Sequence, residues 1–297
     1  MGWQADLAAR FDGRCFLSEP LCAYTTFKIG GKAESLVLPG SEDDWRWLLG
    51  FVRQKGLPLT ILGLGSNVIV SDAGLPGVVA STRRMDQVRI SGTRIHAQAG
   101  AAMDVLAAKS VDLGLAGMER LSGIPGSVGG ALWINAGAFG QEVFDHLVSF
   151  TALDQDCGLV RKNKTEVAYG YRKVEGVAGL VFLCAQWELD CGDQGQLREI
   201  RAETLRARAD KQPLEYPSAG SVFKRPPGDH ASRLIDACGL KGLTVGRAQV
   251  STKHAGFIIN LGGASARDVM ELISRVRYAV RRKTGVDLEL EQVPLGL

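Results

Sequence analysis

The stretch Gly117–Gly140, GMERLSGIPGSVGGALWINAGAFG, decides how the rest of the chain is read. Seven of its 24 residues are glycine and none is lysine. Glycine loses more backbone entropy on folding than any other residue, so this density is costly unless bare backbone is needed. Amide N–H groups in such turns can point inward and cradle an anion, or let a flat ring approach. Pro125 within Gly123-Ile-Pro-Gly126 presets a turn, which predicts a fixed loop. The competing reading is a tight surface connection without chemistry, and the glycine density argues against it.

A second glycine loop, Gly63-Leu-Gly-Ser-Asn67, begins like G-x-G-x-x-G, but Val68 stands where the third glycine belongs. A strand rather than a helix is predicted to follow it, so a Rossmann site fails on residue and on context. Two glycine loops without a Walker lysine favour a dinucleotide cofactor over a nucleoside triphosphate. Neither Ser127 nor Ser221 sits in G-x-S-x-G, which excludes the esterase elbow. Histidines 96, 146, 230 and 254 form no H-x-x-x-H pair, and the six cysteines form no C-x-x-C, so no metal site is expected. His254, at a strand start, reads as structural before it reads as catalytic.

At 297 residues the chain has room for two or three domains. Its net charge of +3 is too small for a nucleic-acid surface and suits small anionic ligands. The apolar run Leu180–Ala185 is far too short to span a bilayer, and residues 1–14 lack the apolar core of a signal peptide. A cytoplasmic protein with reduced thiols follows as the expectation.

Periodicity predicts an α+β chain. The first 32 residues are weakly patterned, and a strand follows at Ala33–Leu38. Ser41 opens a helix with a partial capping box to Asp44, buries Trp45, Leu48, Leu49 and Val52, and ends at Gly56. Short strands are predicted at 58–62, 67–71, 77–81, 87–90 and 93–99. A helix over 102–113 turns Met103, Leu106 and Val111 inward. Strands are expected at 146–153 and 180–190. A polar helix over 194–211 is expected to bury Leu197, Ile200 and Leu205. Past Pro213–Pro227, the best internal boundary, come a helix at 230–238, a strand at 256–261 and an amphipathic helix at 266–284. The last should bury Val269, Leu272, Ile273, Val276 and Val280. Three polar clusters remain: Tyr169-Gly-Tyr-Arg172, Pro217–Lys224 and Leu288-Glu-Leu-Glu291. Each could be a surface turn, yet an Arg, a Ser and a Glu in such settings also suit polarisation, proton donation and enolate stabilisation.

Taken in order, Thr26-Phe-Lys-Ile-Gly-Gly31, Leu62–Asn67, Gly123–Gly130 with Asn135-Ala-Gly137, Gly170-Tyr-Arg172, Gly220–Lys224 and Leu288–Glu291 make the chain resemble the UDP-N-acetylenolpyruvoylglucosamine reductase (MurB) family, from about Thr25 to Gly296. The resemblance implies a flavin-binding fold of the vanillyl-alcohol-oxidase type with an added substrate domain. Its divisions would be an FAD-binding subdomain at 1–82, to which the tail 286–297 returns, a second at 83–195, and a substrate-binding domain at 196–285. It implies FAD as cofactor, NADPH as hydride donor, and reduction of the enolpyruvyl ether of a UDP-sugar for peptidoglycan precursor synthesis.

Carried over by position, the resemblance places FAD against Gly63, Gly65, Ser66 and Asn67 and against Ile124, Pro125, Gly126, Ser127, Gly129 and Gly130. Asn135, Gly137 and Tyr171 complete that set. Ser221 becomes the proton donor, with Arg172 and Glu291 stabilising the enolate-like intermediate. Arg208, Lys211, Gln212, Lys224 and Arg225 would bind substrate. The chain departs from the family at Val174 (commonly Ser), Arg225 (commonly Asn) and Gln292 (usually Val). Its short link from Arg172 to Lys211 matches the subclass without a tyrosine loop. No nucleic acid or membrane partner is implied, and a monomer or weak oligomer is expected. The alternatives are another flavin oxidase or dehydrogenase on the same scaffold, or a flavin-binding protein without turnover.

Overall fold

The computed structural model describes residues 2–297. Among the described residues, seven α-helices run in chain order: α1 Trp3–Arg10, α2 Glu42–Lys55, α3 Met103–Asp112, α4 Val128–Ile134, α5 Gln194–Lys211, α6 Ala231–Ala237 and α7 Ala266–Thr284. A four-stranded sheet has the order Cys15–Pro20, Lys32–Val37, Leu75–Ser81, Leu59–Leu62, its last pair parallel. A five-stranded antiparallel sheet has the order Leu159–Asn163, Leu147–Leu153, Val181–Glu188, Arg94–Gln98, Val88–Ser91. A three-stranded antiparallel sheet joins Thr244–Val245, Ala248–Val250 and Ile258–Asn260. Antiparallel sheets and a sheet with a parallel pair, interspersed with helices, make the α+β class that the sequence predicts.

The pattern-based helices form where the apolar period puts them. α2 starts at Ser41, whose hydroxyl accepts the Asp44 amide at 3.1 Å, and ends at Gly56 with φ +62°. The Asp44 carboxylate takes the Gly40 amide, Arg10 and Arg14 instead of completing the box. α7 has the full capping box between Ser265 and Asp268, and all five of its predicted apolar residues are buried. α5 differs. Its buried residues are Leu197, Thr204 and Arg208, while Leu205 is 36% exposed. Apolarity alone misassigned that face, because a Thr and an Arg take the inward positions. The weakly patterned N-terminus nonetheless holds α1 and the strand Cys15–Pro20, and the glycine stretch contains α4.

The chain divides into two compact units. The first comprises the chain up to Leu17, Ser35–Leu64 and Gly77–Arg208; the second comprises Ser18–Glu34, Gly65–Pro76 and Ala209–Leu297. The first unit has two cores. One gathers Leu7, Phe11, Trp45 and Leu48 with Val181 and Leu183. The other packs Met103, Leu106, Val128 and Leu132 against Phe150 and Trp187 of the five-stranded sheet. In the second unit, Phe27, Ile29 and Ile69 pack with Val222, Phe223 and the inner face of α7. Here the C-terminal strand Val293–Leu295 pairs in parallel with Val68–Val70. Among the described residues, no helix is long and apolar enough to cross a membrane, and no three His, Cys, Asp or Glu side chains cluster as a metal site would need.

Candidate active site

The glycine stretch of the first unit is pinned from below. The Gly123 amide donates to Asp104 Oδ1 at 2.8 Å, and the Asp104 carboxylate also accepts from Arg201 Nη1 and Nη2, at 2.7 and 3.2 Å. The Val128 and Gly129 amides donate to Ala101 and Ala99, and the Ser127 hydroxyl accepts the Gly130 amide. Much of the backbone that a ligand nest would have used is therefore engaged within the protein. The glycines serve close approach instead. A Cβ on Gly63 would lie 2.3 Å from Ser127 Oγ, and one on Gly123 would lie 2.8 Å from the Arg208 side chain. Gly129 is tight against Ala99, and Gly137 against the Gln141 carbonyl. Ile124 and Gly126 are half-buried, and Pro125 is exposed on the same loop.

Beside that loop, Arg208 is 8% exposed, and its buried Nε has no hydrogen-bond partner. Its guanidinium lies 5.5 Å from the centroid of Phe139. Burial pushes the Arg208 pKa below the ordinary guanidinium range, opposed by the nearby Asp104 carboxylate. A buried cation with an unused donor calls for an acceptor. The first unit thus offers close-packed glycines and an unsatisfied arginine, which fit the phosphates of a dinucleotide such as FAD. Arg208 and Lys211 end the same helix, but the first is buried and the second exposed.

Arg172 also belongs to the first unit. It lies in the turn between Tyr169–Gly170 and Lys173–Val174, with φ +53°, a conformation that favours glycine. Its Nη2 donates to Gly137 O at 2.9 Å and its Nη1 to Asn135 O at 3.4 Å, and it stacks over Tyr171 at 5.0 Å. Arg172, Asn135 and Gly137 are therefore brought together.

The second unit assembles the remaining motifs. Ser221, exposed after Gly220 at φ +73°, begins a segment bridged to Phe257 on one side and, through Phe223, to Leu290 on the other. The Glu291 amide donates to Val222 O at 2.9 Å, so Ser221 and Glu291 stand on adjoining segments. Asn67 donates its side-chain amide to Glu291 O at 3.1 Å and accepts the Val293 amide. Thr26 links the other two loops, donating its amide to Gly65 O at 3.0 Å and its hydroxyl to Ser218 O at 2.7 Å. Gly65 has φ +68°, and a Cβ there would meet Tyr24 O at 2.2 Å. Ser66 is half-buried in the same loop. Lys224 pairs with Glu289; Gln212 is half-buried and Arg225 exposed. His254 is structural in its contacts: its Nδ1 accepts the Gly256 amide, and burial pushes its pKa down, reinforced by Lys241 and Lys211.

From the sequence, Thr26 has no task beyond its place in a motif, and Gln292 stands out only as a departure from the family. Buried Gln292 donates to Ala219 O and Gly220 O at 3.1 and 3.2 Å. Asp104 carried no sequence signal beyond its place in the first turn of a helix.

Two family models match the chain. The FAD binding domain matches residues 33–162, and the UDP-N-acetylenolpyruvoylglucosamine reductase C-terminal domain matches 212–294. The chain is 45% identical to the UDP-N-acetylenolpyruvoylglucosamine reductase of Moorella thermoacetica over 274 residues, covering 92% of this chain and 91% of that one. It is 44% identical to the enzyme of that name from Pediococcus pentosaceus, covering 94% and 93%. The crystal structure of the Thermus caldophilus reductase superposes with a TM-score of 0.81 at 35% identity, covering 95% of this chain and 98% of that one. With two family models in order along the chain and near-complete coverage of such relatives, this chain belongs to the UDP-N-acetylenolpyruvoylglucosamine reductase family.

Proposed function

We infer that this chain is an FAD-dependent oxidoreductase that reduces UDP-N-acetylglucosamine enolpyruvate to UDP-N-acetylmuramate, with NADPH as the electron source. The observation that carries the reading is the second unit's pairing of an exposed Ser221 with Glu291 on adjoining, mutually hydrogen-bonded segments. FAD, when bound, supplies hydride transfer to the enolpyruvyl double bond. FAD is assigned to the loops 63–67 and 123–130 on the family resemblance, and Arg208, placed with the substrate residues from the sequence, is reassigned to a cofactor phosphate because its buried Nε donor has no acceptor within the protein.

The protein's own part is proton delivery and charge stabilisation. Ser221 donates its hydroxyl proton to the carbon next to the one that accepts hydride. A serine is a poor acid, yet it can protonate a carbanion far more basic than itself if the developing charge is held. Arg172 and Glu291 hold that charge on the enolate-like intermediate. Lys211, exposed at the end of α5, is assigned to the substrate diphosphate, with Gln212, Lys224 and Arg225 as further substrate contacts. The functional division proposed is 1–82 with 286–297, 83–195 and 196–285; the pairing of the C-terminal strand with Val68–Val70 supports the return of the tail to the first of these. The enzyme acts in the cytoplasm on small molecules, as a monomer or weak oligomer.

The test is direct. Purified protein should be yellow, bleach with NADPH and regain colour with the enolpyruvyl sugar, and the product should gain two hydrogens by mass. Bleaching without recovery would sink the assigned substrate.

A further inference from the structure

Asn135 ends α4 in the left-handed region, at φ +46° and ψ +61°, and is fully buried. Its Nδ2 has two hydrogens, and both are used within the protein: one bond goes to Glu142 Oε2 at 2.6 Å and one to Gly170 O at 3.3 Å. Its Oδ1 accepts the Phe144 amide at 3.2 Å, and its main-chain oxygen accepts Arg172 Nη1 at 3.4 Å. Asn135 thus grips the Arg172 hairpin twice, at the backbone before the turn and at the guanidinium itself. The second guanidinium bond goes to Gly137 O, in the hairpin that also carries Glu142. Arg172, Phe139 and Asn135 all adopt positive φ without being glycine. Such conformations persist only where their surroundings over-determine them, and they gather at functional sites.

From these contacts we propose that Asn135, braced by the Glu142 carboxylate, is a positioning residue that fixes the Arg172 guanidinium for the charge developing on substrate. The proposal rests on the reductase reading above and deepens it. It gives Asn135 a task other than holding cofactor, since both its side-chain donors are occupied. A guanidinium is a planar fork whose bonds depend on its orientation. Displacement of a catalytic group by about 1 Å can cost roughly 10²-fold in rate.

The test uses the full-length, FAD-loaded protein. Asn135→Gly keeps the left-handed backbone accessible and removes the side-chain bonds. Asn135→Asp is the second variant, since Asp tolerates the same conformation but cannot donate to Glu142. The dissociation constant for FAD should stay unchanged, and hydrogen exchange in residues 169–174 should rise. Colour recovery with the enolpyruvyl sugar should slow by about 10- to 100-fold. In an Arg172→Ala background, Asn135→Gly should slow recovery no further, because the pathway it serves is gone. Weakened FAD binding with normal recovery would return Asn135 to the cofactor site. Equal slowing in both backgrounds would make it a general scaffold residue. Either result overturns the proposal. Normal recovery in Arg172→Ala alone would instead sink the role given to Arg172.

Discussion

The side chain of Gln292 reaches back to the turn that presents Ser221, donating to Ala219 O and Gly220 O at 3.1 and 3.2 Å from a fully enclosed position. The residue after Glu291 thereby holds the residue before Ser221. Replacing it by an apolar side chain leaves the buried Ala219 carbonyl and the half-buried Gly220 carbonyl without that donor, at about 1–3 kcal/mol for an unsatisfied buried group. Gln292→Met should therefore lower the denaturation midpoint and slow colour recovery while bleaching by NADPH stays normal. A midpoint and recovery rate equal to the parent's would show that the turn holds without it.

Ser221→Ala changes volume little on an exposed turn, so folding, flavin content and reduction by NADPH should survive. Recovery of colour with the enolpyruvyl sugar should slow by about 10²- to 10⁴-fold, as for loss of a positioned general acid. Ser221→Cys supplies another donor and should regain part of the rate. Stopped-flow absorbance separates the two phases, and slow bleaching with normal recovery would assign Ser221 to cofactor or NADPH binding.

Lys211 at the exposed end of α5 can pair with a diphosphate in a charge-assisted bond worth about 1.5–3 kcal/mol. Lys211→Ala should raise the Michaelis constant for the UDP-sugar by roughly 10- to 150-fold, at about 1.4 kcal/mol per decade. Steady-state kinetics decides it: an unchanged constant places the diphosphate elsewhere.

Gly63→Ala drives a Cβ against Ser127 Oγ, the atom that caps α4. Gly126→Val puts a branched side chain into the same loop. Both variants should purify with little or no yellow colour, and titration with added FAD should show weakened binding. A fully loaded Gly126→Val protein would remove the cofactor from this loop.

Asp104 should govern the acid stability of the glycine loop. The Arg201 hydrogen bond, which outweighs burial, and then the Gly123 amide hold its carboxyl below the usual carboxylate range. A group with a depressed folded pKa contributes stability above its unfolded value and loses it as pH falls through the folded value. Asp104→Asn should therefore be less stable than the parent at neutral pH, with the gap closing at acid pH below the normal carboxylate range. Denaturation midpoints across pH measure this, and a gap independent of pH would mean the carboxylate charge is not what matters.

The sequence by itself determined the α+β class, the long helices and four strands of the five-stranded sheet, because each rests on a local apolar period; the polar edge strand Leu159–Asn163 carries no such period and was missed. α7 is the clearest case: its five predicted apolar residues, its capping box and Gly285 all lie in one contiguous stretch. The glycine loops and the Arg, Ser and Glu clusters were legible too, as residue types at odds with their surroundings. Tertiary structure alone decided who holds them. Asn135 reaches Gly170 and Arg172, Asp104 reaches Gly123 and Arg201, and Gln292 reaches Gly220. These partners are 19 to 97 residues apart along the chain. The buried face of α5 was hidden for the same reason. Arg208 is buried over the Phe139 ring, and no helical period encodes so distant a partner.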